Sequence, residues 1–220
     1  MKKLFFWVFA IAIPIGLSLN ASASIITLDF EGLGSRAAIQ DFYNGGTDSD
    51  GNSGVNYGIS FGGNSLALTE SDPLANFSGA PTDETVMFFL TGSAVLNYAP
   101  GFDTGFSFYY STVAFEGLVS VYDGLNATGN LLGSIDIAAL GAGPDLLNPF
   151  SNWEIGSLPF LGTAKSIDFG GTVNQVGYDN ITFGSVDPNI LSVPAPGVLG
   201  LLGLGLVGML FFRRRTNPWF

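Results

Sequence analysis

The sequence predicts an all-β protein: an antiparallel two-sheet sandwich of jelly-roll type, with an N-terminal signal peptide before it and a single C-terminal transmembrane helix after it. Two observations predict the sandwich. The chain of 220 residues contains 31 glycines and 11 prolines, which is typical of a protein with many turns. Its apolar runs are short, rich in Phe, Tyr, Val, Ile and Thr, and typical of strands.

The alternation of apolar and polar residues is clearest just after residue 24. In residues 26–31 the even-numbered positions are apolar and the odd-numbered positions are polar, as in a half-buried strand. Further strands are predicted at 55–61, 65–69, 84–90, 94–98, 104–111, 117–122, 131–137, 163–169 and 174–183. About ten short strands separated by Gly-rich turns favour a sandwich over a closed barrel, and no fixed repeat indicates a solenoid.

The charge of the chain is distributed unevenly. Residues 24–196 contain all eighteen acidic residues but only two of the seven cations, Arg36 and Lys165, so their formal net charge is about −16. Such a surface repels nucleic acid phosphates and anionic headgroups, and we therefore expect no nucleic acid partner. It favours divalent cations and neutral partners such as sugars.

The chain contains no Cys and no His. This composition excludes thiol nucleophiles, disulfides, thiolate or imidazole metal sites and every mechanism that needs an imidazole base. Two acidic residues are sufficient for glycoside hydrolysis, so that chemistry stays open. No acidic residue lies in a recognised catalytic motif, and we expect a protein that is not an enzyme and has no catalytic residue.

The first 23 residues have the pattern of a secretory signal peptide. Two lysines precede the apolar run 4–19, and the small residues Ala21 and Ala23 follow it. We predict cleavage after Ala23, and an uncleaved N-terminal anchor is the alternative. Residues 24–184 are then the exported β-sandwich domain.

An extended linker, residues 185–192, is predicted to connect the domain to a three-part tail, residues 193–215. The tail begins with Val193-Pro194-Ala195-Pro196, continues with apolar residues 197–212 and ends with Arg213-Arg214-Arg215. A spanning helix needs about 20 apolar residues, and the uncharged stretch is just long enough. The arginines and residues 216–220 are expected in the cytoplasm, which places the domain outside the inner membrane.

The order of these three parts resembles the PEP-CTERM sorting tail, also known as the ice-binding protein C-terminal motif. The chain departs from that motif at one position, where Ala195 replaces the usual Glu. The resemblance implies a Gram-negative bacterium, processing by an exosortase-type membrane protease, and release from an inner-membrane precursor to the cell surface or an exopolysaccharide (biofilm) matrix. A plain single-pass anchor is the alternative interpretation.

The domain is also similar to exported domains found before such tails, in residues 29–32 and 176–183, and that similarity implies no particular activity. We therefore expect a noncatalytic component of the cell surface or matrix. A lectin-like carbohydrate-binding module, with or without calcium, is the first alternative. A hydrolase of the matrix polysaccharide is the second.

Two sets of oxygen-bearing side chains are candidates for a structural Ca²⁺. Asp48, Asp50 and Asn52 alternate along a Gly-rich loop, a pattern that suits a hard cation but differs from an EF-hand and also occurs in plain turns. The domain distantly resembles jelly-roll carbohydrate-binding modules, where Ca²⁺ often lies between the first and last strands. That resemblance implies a second set, Glu31 with Asp179, for which solvated carboxylates are the alternative.

Aromatic residues near loops are candidates for a platform on which a sugar ring stacks. The four candidates are Tyr109, Tyr122, Trp153 and Tyr178. Packing in the core is the alternative for each of them.

Overall fold

The computed structural model describes residues 25–189, which form eleven β-strands. The strands are β1 (Ile26–Leu28), β2 (Ile59–Phe61), β3 (Ser65–Thr69), β4 (Thr85–Phe89), β5 (Ala94–Phe102), β6 (Phe106–Thr112), β7 (Gly117–Tyr122), β8 (Leu131–Ile137), β9 (Glu154–Leu158), β10 (Ala164–Phe169) and β11 (Val176–Phe183). Within this part of the chain, we find no helix that could cross a membrane. The predicted signal peptide and the predicted transmembrane helix lie outside the described residues.

The strands form two antiparallel sheets. Sheet A has the order β3-β4-β11-β6-β9, with β1 also paired to β11, and sheet B has the order β2-β5-β10-β7-β8. The last eight strands follow the jelly-roll order, because the first of them, β4, lies beside the last, β11, and the second, β5, lies beside the seventh, β10. The predicted two-sheet sandwich of jelly-roll type is therefore confirmed.

The core lies between the sheets and consists largely of aromatic rings. Phe108 of β6, Tyr178 of β11 and Phe169 of β10 are all fully buried. The Phe169 ring contacts the other two edge to face, with centroid distances of 5.7 Å to Phe108 and 4.9 Å to Tyr178. Since Phe169 belongs to sheet B and its two partners belong to sheet A, these contacts join the sheets.

The first strand is shorter than the sequence predicts. It ends at Leu28 rather than continuing to residue 31, because Phe30 has a φ of 62° and leaves the extended conformation. The Phe30 ring remains fully buried, and its backbone N–H donates to the Tyr43 hydroxyl at 2.8 Å. The backbone turn directs Glu31 toward the start of β4.

The sequence patterns miss β9. This strand lacks apolar alternation, because Ile155 is exposed and a glycine, Gly156, stands at the adjacent buried position. Gly156 is the register partner of Phe108 in β6, and a Cβ at position 156 would overlap the Phe108 ring. The absence of a side chain at Gly156 therefore leaves the space that the Phe108 ring occupies in the core.

The chain after β11 runs back along sheet A. Ser107 in β6 donates its hydroxyl to the Ser185 carbonyl at 3.1 Å, and Ser157 in β9 donates to the Val186 carbonyl at 2.6 Å. The first residues of the predicted linker are thus bonded to the sandwich.

Replacing Gly156 by Ala should destabilise the domain by about 1–3 kcal/mol, since the added methyl group overlaps a fully buried ring. Gly133→Ala in β8 is the matched control, because its Cβ would meet the Leu158 side chain at 3.5 Å, an ordinary contact. Urea unfolding followed by circular dichroism measures both changes. Equal midpoints for the two variants would contradict the assigned role of Gly156.

Candidate functional site

Asp179 is a fully buried carboxylate in the middle of β11. The pairing of β11 with β6 shifts register between Asp179 and Thr182, and Asn180 has a φ of 50°. A β-bulge of this kind re-aims a side chain relative to the regular alternation of a strand. Here it accompanies a carboxylate that points away from water and must find donors inside the protein.

The donors come from the segment between β3 and β4 and from the bulge itself. Thr82 donates its backbone N–H and its hydroxyl to Asp179 carboxylate oxygens, both at 2.9 Å. The Asn180 N–H donates to the same carboxylate at 2.7 Å. These bonds fasten the segment that precedes β4 to the last strand.

Glu31, just after the first strand, holds the next residues of the same segment. Its Oε1 accepts the backbone N–H groups of Glu84 at 3.1 Å and Thr85 at 2.8 Å, and its Oε2 accepts the Thr85 hydroxyl at 3.2 Å. The structure therefore brings Glu31 and Asp179 to one segment, residues 82–85. The two carboxylates connect both ends of the domain through hydrogen bonds to it.

The environment of Asp179 changes its acidity. Burial raises the pKa of this carboxyl group from 3.8 to about 7, the hydrogen bonds from Thr82 and Asn180 oppose that rise, and the charge of Glu31 adds to it. Asp179 therefore exchanges its proton near neutral pH in the folded protein.

Asp48 organises the other predicted set. Its carboxylate is almost fully buried and accepts four hydrogen bonds, from the N–H of Gly34 at 2.9 Å, the N–H of Asp50 at 2.9 Å, and the N–H and Nδ2 of Asn52 at 2.8 and 2.9 Å. Burial favours a higher pKa for Asp48, but these hydrogen bonds outweigh it and lower the pKa below its usual value. In this arrangement the carboxylate closes the Gly-rich loop.

The calcium prediction remains a prediction at both sets. Within residues 25–189, no group of three or more His, Cys, Asp or Glu side chains is placed to hold a metal ion. Each predicted set contains only two carboxylates, so a bound Ca²⁺ would need further ligands from backbone carbonyls, amides or water.

The four aromatic candidates occupy different environments. Tyr178 is in the core, where its hydroxyl donates to the Gly170 carbonyl at 3.1 Å, so packing is the correct interpretation for this residue. Tyr109 and Tyr122 are partly buried, and the Tyr109 hydroxyl contacts the Asn189 side chain at 2.8 Å. Trp153 is partly buried beside a cleft.

This cleft lies on the outer face of sheet A and has a volume of about 30 Å³. Ser111 of β6 and Gly177 of β11 are register partners in its floor. Its walls include Phe77 and Phe150, which come from the segments before β4 and before β9 and form an isolated bridge with each other. The Trp153 ring meets Phe77 edge to face at 6.4 Å.

Sequence reasoning missed Thr82, Ser111 and Gly177. Thr82 lies in a turn-rich segment, and nothing in its neighbourhood indicates that it bonds to β11. Ser111 and Gly177 are small residues within predicted strands, and only the register between β6 and β11 brings them together. A glycine inside a strand pattern is the one available signal, since it often marks the close approach of another group.

The predicted sorting residues lie outside the described part of the chain, as do the predicted cleavage residues Ala21 and Ala23. Their sequence nevertheless allows a comparison. The PEP-CTERM protein-sorting motif matches residues 192–215. This match confirms the resemblance of the tail and indicates an exported protein that is made as a membrane-anchored precursor. No curated protein matches the chain.

Several solved structures are similar to the sandwich. The K1 cleaved adhesin domain of Lys-gingipain from Porphyromonas gingivalis has 13% identity and a TM-score of 0.38, with 73% of this chain and 97% of that chain covered. The C-terminal CBM6 of LamC, a marine laminarinase from Zobellia galactanivorans, has 16% identity and a TM-score of 0.34, with 55% and 98% covered.

A glycoside hydrolase family 43 arabinoxylan arabinofuranohydrolase from Bacillus subtilis is also similar to the chain. It has 17% identity and a TM-score of 0.37, with 55% of this chain covered. The match spans only 24% of the hydrolase. Similarity at these levels carries no conclusion about ligand or activity.

The stability of the domain should fall as the pH rises from about 4 to about 7. The pKa of Asp179 is about 7 in the folded protein against 3.8 as its ordinary value, so the folded state binds this proton more tightly than the unfolded state. This contribution to the free energy of unfolding is fully present below a pH of 3.8, the ordinary pKa of the carboxyl group. It is lost as the pH rises through about 7, the pKa in the folded protein. We expect a decrease of about 2–4 kcal/mol in the free energy of unfolding.

Urea unfolding at pH 4.5, 6 and 8 measures this decrease, and Asp179→Asn should remove it. Asp123→Asn is the control, because hydrogen bonds from Asn130 lower the pKa of Asp123 and its contribution changes only at more acidic pH. The same decrease in the Asp179→Asn variant would rule out Asp179 as its source.

Excess chelator should lower the melting temperature if Ca²⁺ binds at either predicted set, because the ion stabilises only the folded state. The effect should disappear in Asp50→Asn if the loop set holds the ion, and in Asp179→Asn if Glu31 and Asp179 hold it. Differential scanning calorimetry measures the change. An unchanged melting curve in excess chelator would contradict both sets.

Proposed function

We propose that this protein is a noncatalytic component of the bacterial cell surface or of an exopolysaccharide matrix. An exosortase-type protease would process its tail and release the β-sandwich domain from the inner membrane. The observation that carries the proposal is the PEP-CTERM match at residues 192–215. The departure at Ala195 leaves both prolines and all three arginines in place.

The negative charge of the domain supports its release from the membrane. With both terminal segments removed, residues 24–196 carry a formal net charge of about −16, and an anionic membrane surface repels such a domain. The buried apolar side chains form two hydrophobic clusters, and thirteen large apolar side chains of the described residues are exposed. The charge of the domain is therefore the property that favours a hydrated matrix over the membrane surface.

The hydrogen bonds of Glu31 and Asp179, the two carboxylates that the structure brings to one segment, support a noncatalytic role. Glycoside hydrolysis requires two carboxyl groups that flank a bound sugar. Asp179 and Glu31 instead accept hydrogen bonds from Thr82, Glu84 and Thr85. The residues that line the cleft on sheet A carry no charge.

A second candidate function is lectin-like carbohydrate binding, and the cleft on sheet A favours it. Trp153 and Phe77 supply aromatic faces, and amide and hydroxyl side chains lie around them. Apolar surfaces with a few convergent polar groups are typical of small-ligand sites. In this role the protein would attach to matrix glycans after its release.

The mature surface form should end near Pro196. Mass spectrometry of the surface fraction should find no peptide that contains Phe220, and deletion of the sorting protease should leave the full precursor in the membrane fraction. Replacing Pro194 and Pro196 by Ala should also block processing, since the two prolines keep the cleavage region extended. Ala195→Glu restores the usual motif residue and is the matched control, which should be processed at least as well as the natural chain.

Two results would contradict the proposal. Detection of Phe220 in the surface-located form would show that the tail is not removed. Release of reducing sugar from the matrix polysaccharide, abolished by a single carboxylate substitution, would show that the protein is a hydrolase.

A further inference from the structure

We propose that the cleft on the outer face of sheet A binds the acetyl group of a neutral acetylated sugar, such as an N-acetylhexosamine unit of a matrix glycan. The inference rests on the carbohydrate-binding function proposed above and gives it a site and a ligand class. Four properties of the cleft support it: an unpartnered buried hydroxyl, its apolar walls and small size, its lack of charge, and a glycine floor.

The unpartnered hydroxyl belongs to Ser111. This residue lines the cleft and is 1% exposed, and its Oγ makes no hydrogen bond within residues 25–189. Buried polar side-chain atoms nearly always have a partner, so this hydroxyl needs one from outside the protein, either water or a ligand group. The carbonyl oxygen of an acetyl group would accept its proton.

The apolar walls and the small volume of the cleft indicate which other atoms the ligand group contains. Phe77, Phe150 and Val86 make the walls apolar next to Ser111. The volume of about 30 Å³ is far below the roughly 300–1,000 Å³ of pockets that enclose a whole small ligand. A whole sugar ring is too large for this space, whereas a methyl group and an adjacent carbonyl oxygen fit it.

The lack of charged side chains in the cleft and the polar residues at its edge indicate the chemistry of the rest of the ligand. No charged side chain lines the cleft, so an ionised group would lose its hydration there without gaining a partner. Asn76 and Asn174 are exposed at the edge, where their amides can bond to ring hydroxyls. The partly exposed Trp153 provides an aromatic face for the sugar ring.

Gly177 keeps the floor of the cleft open. A Cβ at this position would lie 3.5 Å from Cη2 of Trp153 and 3.8 Å from Cγ2 of Val86, which are ordinary contact distances. A methyl group is therefore accommodated at this point without displacing a neighbour. The acetyl methyl of the ligand would rest against Gly177 at van der Waals distance, where an added alanine methyl group would crowd it.

Tryptophan fluorescence gives a direct measurement. The full chain contains three tryptophans, and Trp7→Phe together with Trp219→Phe leaves Trp153 as the only one. Titration with N-acetylglucosamine should produce a saturable change in Trp153 emission. Glucose, which has a hydroxyl in place of the acetamido group, should bind about tenfold more weakly.

Two variants test the site within the same tryptophan background. Gly177→Ala should weaken N-acetylglucosamine binding about tenfold, because its methyl group fills the floor of the cleft, whereas Gly133→Ala should leave the affinity unchanged. Ser111→Ala should also weaken binding. Its melting temperature should stay the same or rise, since the substitution removes a buried hydroxyl that has no partner.

Several outcomes would overturn this inference. They are no binding of N-acetylglucosamine, equal affinity for glucose, and full affinity in Gly177→Ala. Each would leave the surface or matrix role intact if the mature form still ends near Pro196. Conversely, an unprocessed tail together with the expected sugar selectivity would overturn the sorting proposal and leave the cleft assignment standing.

Discussion

Strand β11 pairs with β1, β4 and β6, so sheet A depends on its position. A buried carboxylate in such a strand is destabilising unless hydrogen-bond donors surround it. The bulge after Asp179 and the three donors from Thr82 and Asn180 offset part of this cost, and burial still raises the pKa of the carboxyl group to about 7. Glu31 bonds to the next residues of the same segment. The arrangement of the strands at this end of sheet A thus depends on the hydrogen bonds of Asp179 and Glu31 with residues 82–85.

The hydrogen bonds of Asp179 and Glu31 link distant parts of the chain, as disulfides often do in exported domains. The chain has no cysteine, so covalent links cannot join its first and last strands. Pairing of β1 with β11 joins them, and the carboxylate contacts reinforce the joint. Such a joint responds to pH, because the proton of Asp179 exchanges near neutrality. Covalent links would lack this response.

The two faces of sheet A have different roles. Its inner face carries Phe108 and Tyr178, which contact Phe169 from sheet B and form the main core. On its outer face, a smaller hydrophobic cluster surrounds the cleft that contains Ser111 and Gly177. Alternation along β6 and β11 produces both faces from the same strands. A ligand group can therefore be bound on the outer face without opening the core.

Local patterns were sufficient for most strands and for the tail, because alternation, turns and the sorting motif each depend on residues close together in the chain. The jelly-roll sandwich and the PEP-CTERM tail were accordingly predictable, while β9 was not, since Gly156 replaces the side chain that would mark its buried face. The approach of Glu31 to Asp179 was suggested by resemblance, but their shared partner segment was not. Thr82 and the pair of Ser111 and Gly177 acquire their roles only through the register of strands far apart in the chain, and that register follows from the packing of the whole sandwich.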